Sequence, residues 1–339
     1  MTIDAPAFVI VNPSFIEPEI ILQYSQASGA FDLLAGGEPR AKIEEDALYV
    51  YIKTLALRTK MAAGTASYDE LPGPSIVAQM ISTPTYLQRC RAQYDHHDVR
   101  AAANWGFGAP EAYRLGMRQA HFQLTRDAEL YGFNPQNGEG IINTPGATAV
   151  NMPPDSYGNT TIVTYDNGQL AFLFLNQIAT IKTNTLQLGI SKEFTICGPQ
   201  RVLAKLEYNV VQVVQYQRTG GGTNSSAGVV KEVLMANGDK VIWSYDDTLI
   251  GKGTGGNDLV IFSMPEVTKP RSGSINTNEF ASLSPGNPTC VTQYADMGAP
   301  REIVSPLAGG ATDVVSEWRT SSGWGVRPQG LVLLSCQYQ

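Results

Sequence analysis

Apolar residues recur at intervals of three and four from Tyr113 through Met117, Ala120, Leu124 and Ala128 to Tyr131. That spacing draws one stripe along a helix. Arg114, Arg118, Arg126, Asp127 and Glu129 occupy much of the remaining surface. Pro110 suits the first helical turn, where its missing N–H has no bond to lose. Glu111 beside it complements the helix dipole. Gly132 supplies a left-handed stop, and Pro135 prevents the helix from resuming. The predicted helix, residues 110–131, is ~33 Å long at 1.5 Å per residue. It leaves through Gly132-Phe-Asn-Pro135 and Gly140-Ile-Ile-Asn-Thr-Pro-Gly146.

Upstream the period changes to two. Leu48, Val50 and Ile52 alternate with Tyr49, Tyr51 and Lys53, and Tyr86, Cys90 and Tyr94 recur against Leu87, Arg89 and Arg91. Both stretches read as strands. The turn-forming run Met61 to Pro74 between them reads as a loop tip, so residues 46–94 form one long two-stranded excursion. An isolated hairpin is marginal in water, and a neighbouring molecule is the natural support for one this long. Residues 1–45, punctuated by Pro6, Pro13 and Pro18, read as an extended arm with a short helix over Ile20 to Ala30.

Downstream, elements are shorter. A strand is expected at Thr161 to Tyr165 and a helix at Leu170 to Thr183, with Phe172, Leu175, Ile178 and Ala179 on one side. Glu193 to Cys197 reads as a strand entering Gly198-Pro199, which opens a helix carrying Val202, Leu203 and Leu206. Residues 209–310 alternate strands (Val210 to Tyr216, Lys240 to Trp243, Leu259 to Ser263) and a helix (Val229 to Met235) with Gly-rich loops. Strands return at Val314 to Trp318 and Leu331 to Leu334.

Bulk properties narrow the function. A chain of 339 residues suggests two or three domains. Charged residues make up only 16%, which suits a surface covered by other subunits or a loop-rich extracellular protein. The net charge of −7 argues against gripping nucleic acid through its phosphates, though not against enclosing it. Cys90, Cys197, Cys290 and Cys336 are far apart, form no zinc-type spacing and are expected as reduced thiols. The opening Met-Thr-Ile-Asp-Ala-Pro lacks the positive region of a signal peptide, and no run of ~18 apolar residues predicts a membrane span.

Candidate chemistry is thin. Asp95-His96-His97-Asp98 has metal-ligand residue types, but adjacent histidines diverge on a helix. A capping arrangement, Asp95 before the helix and Asp98 in its first turn, explains the motif better. Gly251-Lys-Gly-Thr-Gly-Gly256 lacks the first glycine and the hydroxyl of a P-loop and reads as a flexible loop. Three histidines supply a catalytic triad poorly, and His121 reads as a packing or surface residue. Cys197 reads as buried and inert. Arg89, Arg91 and Arg100 read as solvated or intersubunit ion pairs rather than a basic face. No catalytic, cofactor or metal residue is assigned, and the protein is not expected to be an enzyme.

The order of elements, the Gly140 to Gly146 exit, Phe194-Thr-Ile-Cys-Gly-Pro199 and Thr248 to Val260 together resemble the major capsid proteins of tailed double-stranded DNA bacteriophages. The resemblance implies the α+β Hong Kong 97-like fold. It assigns residues 1–45 to an N-terminal arm, 46–94 to the extended loop, and 95–208 to a peripheral (P) domain with a spine helix at about 110–131. Residues 209–310 become an axial (A) domain, and 311–339 strands returning to the P domain. It further implies pentamers and hexamers forming an icosahedral shell around DNA, assembled in the bacterial cytoplasm. Portal protein would be a partner, with scaffolding or decoration proteins as further candidates. Some members of that family join subunits through a Lys–Asn bond; Lys53 and Lys60 lie in the hairpin, but no motif assigns an acceptor and no crosslink is expected. An encapsulin-like compartment shell and a soluble enzyme with an unrecognised site are the competing readings.

Overall fold

The computed structural model describes residues 29–34, 41–58, 75–104, 106–186, 191–208, 210–212, 223–267 and 290–338. Most of the expected helix at Ile20 to Ala30, the loop tip with Lys60, the end of the strand expected at Val210 to Tyr216 and Gly220 to Gly222 lie outside these residues. In chain order the strands are β1 (Ala41–Lys42), β2 (Tyr49–Arg58), β3 (Ser75–Tyr94), β4 (Thr148–Asn151), β5 (Glu193–Gly198), β6 (Val210–Gln212), β7 (Thr223–Ser225) and β8 (Lys240–Tyr245). They continue as β9 (Asp258–Ser263), β10 (Thr292–Gln293), β11 (Ala295–Asp296), β12 (Arg301–Pro306), β13 (Thr312–Ser321), β14 (Trp324–Gly325) and β15 (Leu331–Cys336). The helices are α1 (His96–Asn104), α2 (Ala109–Tyr131), α3 (Asn167–Asn184), α4 (Gln200–Tyr208) and α5 (Ser226–Ala236).

Two main sheets organise the molecule. In the first, β3 serves two partners in succession. Its first half pairs antiparallel with β2, from Ser75 opposite Arg58 to Pro84 opposite Tyr49. Its second half pairs antiparallel with β13, from Thr85 opposite Ser321 to Tyr94 opposite Thr312. On the far side of β13 lie β12 and β11, and β1 runs parallel to β11. The hairpin is thus rooted in the C-terminal part of the chain.

The second sheet has the order β4-β15-β9-β5-β8, with β4/β15 and β5/β8 parallel and the two inner pairings antiparallel. Its inner strands β15, β9 and β5 are buried almost throughout because both faces are covered, while the edge strands β4 and β8 carry exposed residues. Phe194, Ile196, Val260, Phe262, Val332 and Leu334 face α3, α4 and α5. The alternate residues Cys197, Leu259, Ile261, Leu331 and Leu333 pack with Leu130, Ile141, Trp324 and the short segment Ala30, Leu33, Leu34. The divisions expected at 208/209 and 310/311 both fall between paired strands: β5 with β8, and β12 with β13.

Several local expectations change. Phe172 is 70% exposed, and Leu170, Leu173, Phe174, Ile178 and Ile181 form the inner face of α3. The strand expected at Thr161 to Tyr165 is a 3-10 turn at Ile162–Thr164, where the Thr164 hydroxyl donates to the Thr161 carbonyl at 2.9 Å; only Thr161 bridges, to Gln337. On α2 the stripe is displaced. Met117 and Ala128 are buried as expected, but His121 and Thr125 are buried in place of Ala120 and Leu124. The sheet beneath this helix presents Ser316 and Gln88, so polar side chains meet there and Leu124 faces outward.

Candidate assembly surface and spine junction

The exit of α2 is a backbone crossing. Gly132 has φ 69° and ψ 158°, so the helix ends in an extended glycine conformation rather than the left-handed helical one expected. Gly140, at φ 90°, crosses so closely that a Cβ there would lie 2.5 Å from the carbonyl carbon of Tyr131. Asn143 closes the crossing, its amide donating to the carbonyls of Tyr131 at 2.9 Å and Glu139 at 2.8 Å. The buried Glu139 carboxylate accepts from the Tyr86 hydroxyl of β3, the Ser322 hydroxyl and the Asn134 N–H at 2.8–3.0 Å. Burial and that carboxylate raise the Tyr86 phenol to about 12. One short motif therefore joins spine helix, hairpin and C-terminal strands.

The Gly-rich loop completes the junction through hydrogen bonds of its backbone. Gly251 N–H donates to Asp258 at 3.2 Å and Thr254 N–H to the Ser335 hydroxyl at 2.9 Å. The Tyr131 hydroxyl donates to Thr248 at 2.7 Å, and the Lys252 ammonium sits 4.9 Å over the Tyr131 ring. Asp258 is buried and held by a two-pronged Arg201 guanidinium at 2.6 and 2.7 Å. Neither Arg201–Asp258 nor Glu139 carries a local sequence signal, because each pair spans distant segments.

The outer hairpin exposes several large apolar side chains. Ile76 is 67% exposed, Met80 61% and Tyr51 60%, with Tyr49 also exposed. Lys53 stands opposite Met80, and Tyr51 opposite Ser82, so Tyr49, Tyr51, Lys53, Met80 and Ile76 share one face of the ribbon. The rings of Tyr49 and Tyr51 lie 6.2 Å apart. Their root is the opposite face, where Ile52 and Thr83 are buried. Exposed apolar area gathered on a two-stranded ribbon marks an interaction surface.

The residues singled out for chemistry have structural roles. Asp95 accepts from the N–H groups of His97 at 2.7 Å and Asp98 at 2.8 Å, and Asp98 accepts from the Asp95 N–H at 3.0 Å. This is a reciprocal cap of α1. Backbone donors hold Asp95 below its ordinary carboxyl value. His121 Nε2 lies 3.0 Å from the Ser316 hydroxyl and edge-on to Trp318, and both members of the His121–Ser316 pair are buried beneath α2. Burial lowers the imidazole's affinity for a proton. Cys197 is buried and its thiol is pushed up. None of the four cysteines forms a disulfide. Arg89 pairs with Glu317 at 2.7 Å and Arg91 with Asp313 at 2.8 Å, within the chain rather than between subunits; Arg100 is exposed on α1. Among the described residues no group of three metal-ligating side chains converges, and no helix is long and apolar enough to cross a membrane.

Rooted hairpin, long spine helix and doubly covered sheet define the class: this is the Hong Kong 97-like fold of phage capsid proteins. The capsid of Myoviridae phage XM1 is similar with a TM-score of 0.66 and 10% identity, over 95% of this chain and 96% of that one. The capsid of cyanophage P-SCSP1u follows with 0.58 and 12%, over 96% and 93%. The capsid of a native GTA particle gives 0.56 and 12%, over 97% and 96%. No family model matches the sequence, and no curated protein matches it. At such identities the likeness establishes the fold.

Proposed function

We propose that this chain is a major capsid protein that assembles with copies of itself into a closed icosahedral shell around double-stranded DNA. The observation that carries this reading is the hairpin. A ribbon with exposed Tyr51, Ile76 and Met80 suits a subunit whose neighbour covers them. Full-length likeness to capsid folds supports it.

In this reading residues 1–45 are the arm and 46–94 the extended loop. Residues 95–208 are the P domain with α2 as its spine helix, 209–310 the A domain, and 311–339 the strands returning to the P domain. The net charge of −7 suits a wall that encloses DNA without adhering to it. Pentamers and hexamers, a portal vertex, and assembly in the bacterial cytoplasm follow from the same reading. Lys53 forms no covalent link, so denaturing electrophoresis of shells gives a single band.

Electron microscopy of the expressed full-length protein tests the proposal. Closed shells of uniform diameter are expected. A protein that stays monomeric at high concentration, alone and with its co-expressed phage partners, overturns it.

A further inference from the structure

Beneath the second half of α2 lies a polar seam. His121, Thr125 and Glu129, spaced four apart, all face inward and are buried. Against them the sheet sets Ser316 and Gln88. His121 has its serine, but the Thr125 hydroxyl, both polar atoms of Gln88 and both carboxyl oxygens of Glu129 have no hydrogen-bond partner. Ala92, Met117 and Val314, with Cys90, Tyr94 and Tyr113 packed against them, help to hold this helix to the sheet. An unpaired charge buried in such a contact weighs heavily.

Glu129 is the extreme member, with 0% exposure. Gly323 closes one side so tightly that a Cβ there would sit 3.0 Å from Oε2 and 2.6 Å from the Glu129 carbonyl oxygen. The charge acting on it is of the same sign, Asp296 on β11, which itself faces Lys42 of β1 and accepts from the Gly298 N–H at 2.8 Å. No cation is among the charges that act on Glu129. Arg126 pairs with Asp127 at 2.9 Å, and Arg319 donates to the Ala47 carbonyl at 3.2 Å and the Thr85 hydroxyl at 3.1 Å. The second buried carboxylate of the region, Glu139, is satisfied by Tyr86, Ser322 and Asn134.

We propose that Glu129 is held as a neutral carboxylic acid under the spine helix, and that its ionisation is the step by which rising pH loosens that helix from its sheet. The direction follows from burial and from Asp296, which together raise the folded-state value well above the ordinary 4.5. Below 4.5 both folded and unfolded chains hold the proton. As pH rises toward the folded value, only the folded chain keeps it. Stability therefore falls with pH over that interval, by about tenfold in the folding equilibrium per pH unit.

The test compares wild type with Glu129→Gln, full-length and in the same assembly state, by chemical denaturation between pH 5 and 9. Wild type is expected to lose stability relative to the variant as pH rises, about tenfold per unit until the folded value is passed. Parallel profiles overturn the proposal. Should the variant fail to fold, infrared difference spectroscopy of the wild type decides. A protonated carboxylic-acid band at pH 6 that bleaches on alkaline titration is expected; its absence at pH 6 overturns the proposal. The denaturation comparison isolates Glu129, and both measurements stand whether or not the protein forms shells.

Discussion

The side-chain amide of Asn143 donates a 2.9 Å hydrogen bond to the carbonyl of Tyr131, the last residue of α2. The same amide holds the Glu139 carbonyl at 2.8 Å. Asn143→Ala leaves two carbonyls without this partner and is expected to cost ~1–3 kcal/mol. Asn143→Asp replaces a donor with an acceptor and is expected to cost more. Urea denaturation of the unassembled chain reads both, and equal stability of all three proteins would discard the clasp.

Gly140→Ala is expected to be far worse than its chemistry suggests. The new methyl would lie 2.5 Å from the Tyr131 carbonyl carbon, and the backbone sits at φ 90°. Gly158 is a matched control, with φ 87° and open space within 4 Å of the position a methyl would take. Gly158→Ala bears only the conformational cost, ~1–3 kcal/mol, whereas Gly140→Ala adds the clash with the Tyr131 carbonyl and is expected to lose more. Soluble yield and melting temperature distinguish them.

On the spine helix, Met117 is buried and Leu124 is 39% exposed. Met117→Ala should cost ~2–4 kcal/mol, and Leu124→Ala within ~0.5 kcal/mol. Ala120 is exposed, so Ala120→Pro tests the helix itself rather than its packing. It removes one backbone bond and is expected to cost ~3 kcal/mol or more and to abolish shells. Equal losses at 117 and 124 would mean the helix faces another way.

The hairpin separates folding from assembly. Met80→Glu places a charge on an exposed ribbon, and the isolated subunit should keep its circular dichroism and lose no more than ~0.5 kcal/mol. If a second copy covers this face, the same charge is buried on assembly, and particles should vanish. Normal particles from Met80→Glu would remove the outer hairpin from the interface.

Local order was legible from neighbours in sequence. Pro110 and Gly132 bracket α2, and the period-two runs around Ile52 and Cys90 mark β2 and β3. The Asp95–Asp98 cap was equally visible, since its partners are three residues apart. Such features depend on contacts within a turn or along one strand.

What tertiary structure alone decided is which partner each element meets. Apolar periodicity placed Ala120 and Leu124 inward, but the sheet below sets Ser316 and Gln88 among its apolar residues, and His121 and Thr125 took those positions. Composition changes at 208/209, and β5 and β8, from either side of that point, pair in parallel register. Asn143 finds Tyr131, Arg201 finds Asp258 and Glu129 finds no partner through the crossing of distant segments. Hydrophobic period reports how much of an element is buried; the chemistry of the opposing surface, supplied from elsewhere in the chain, decides which face it is.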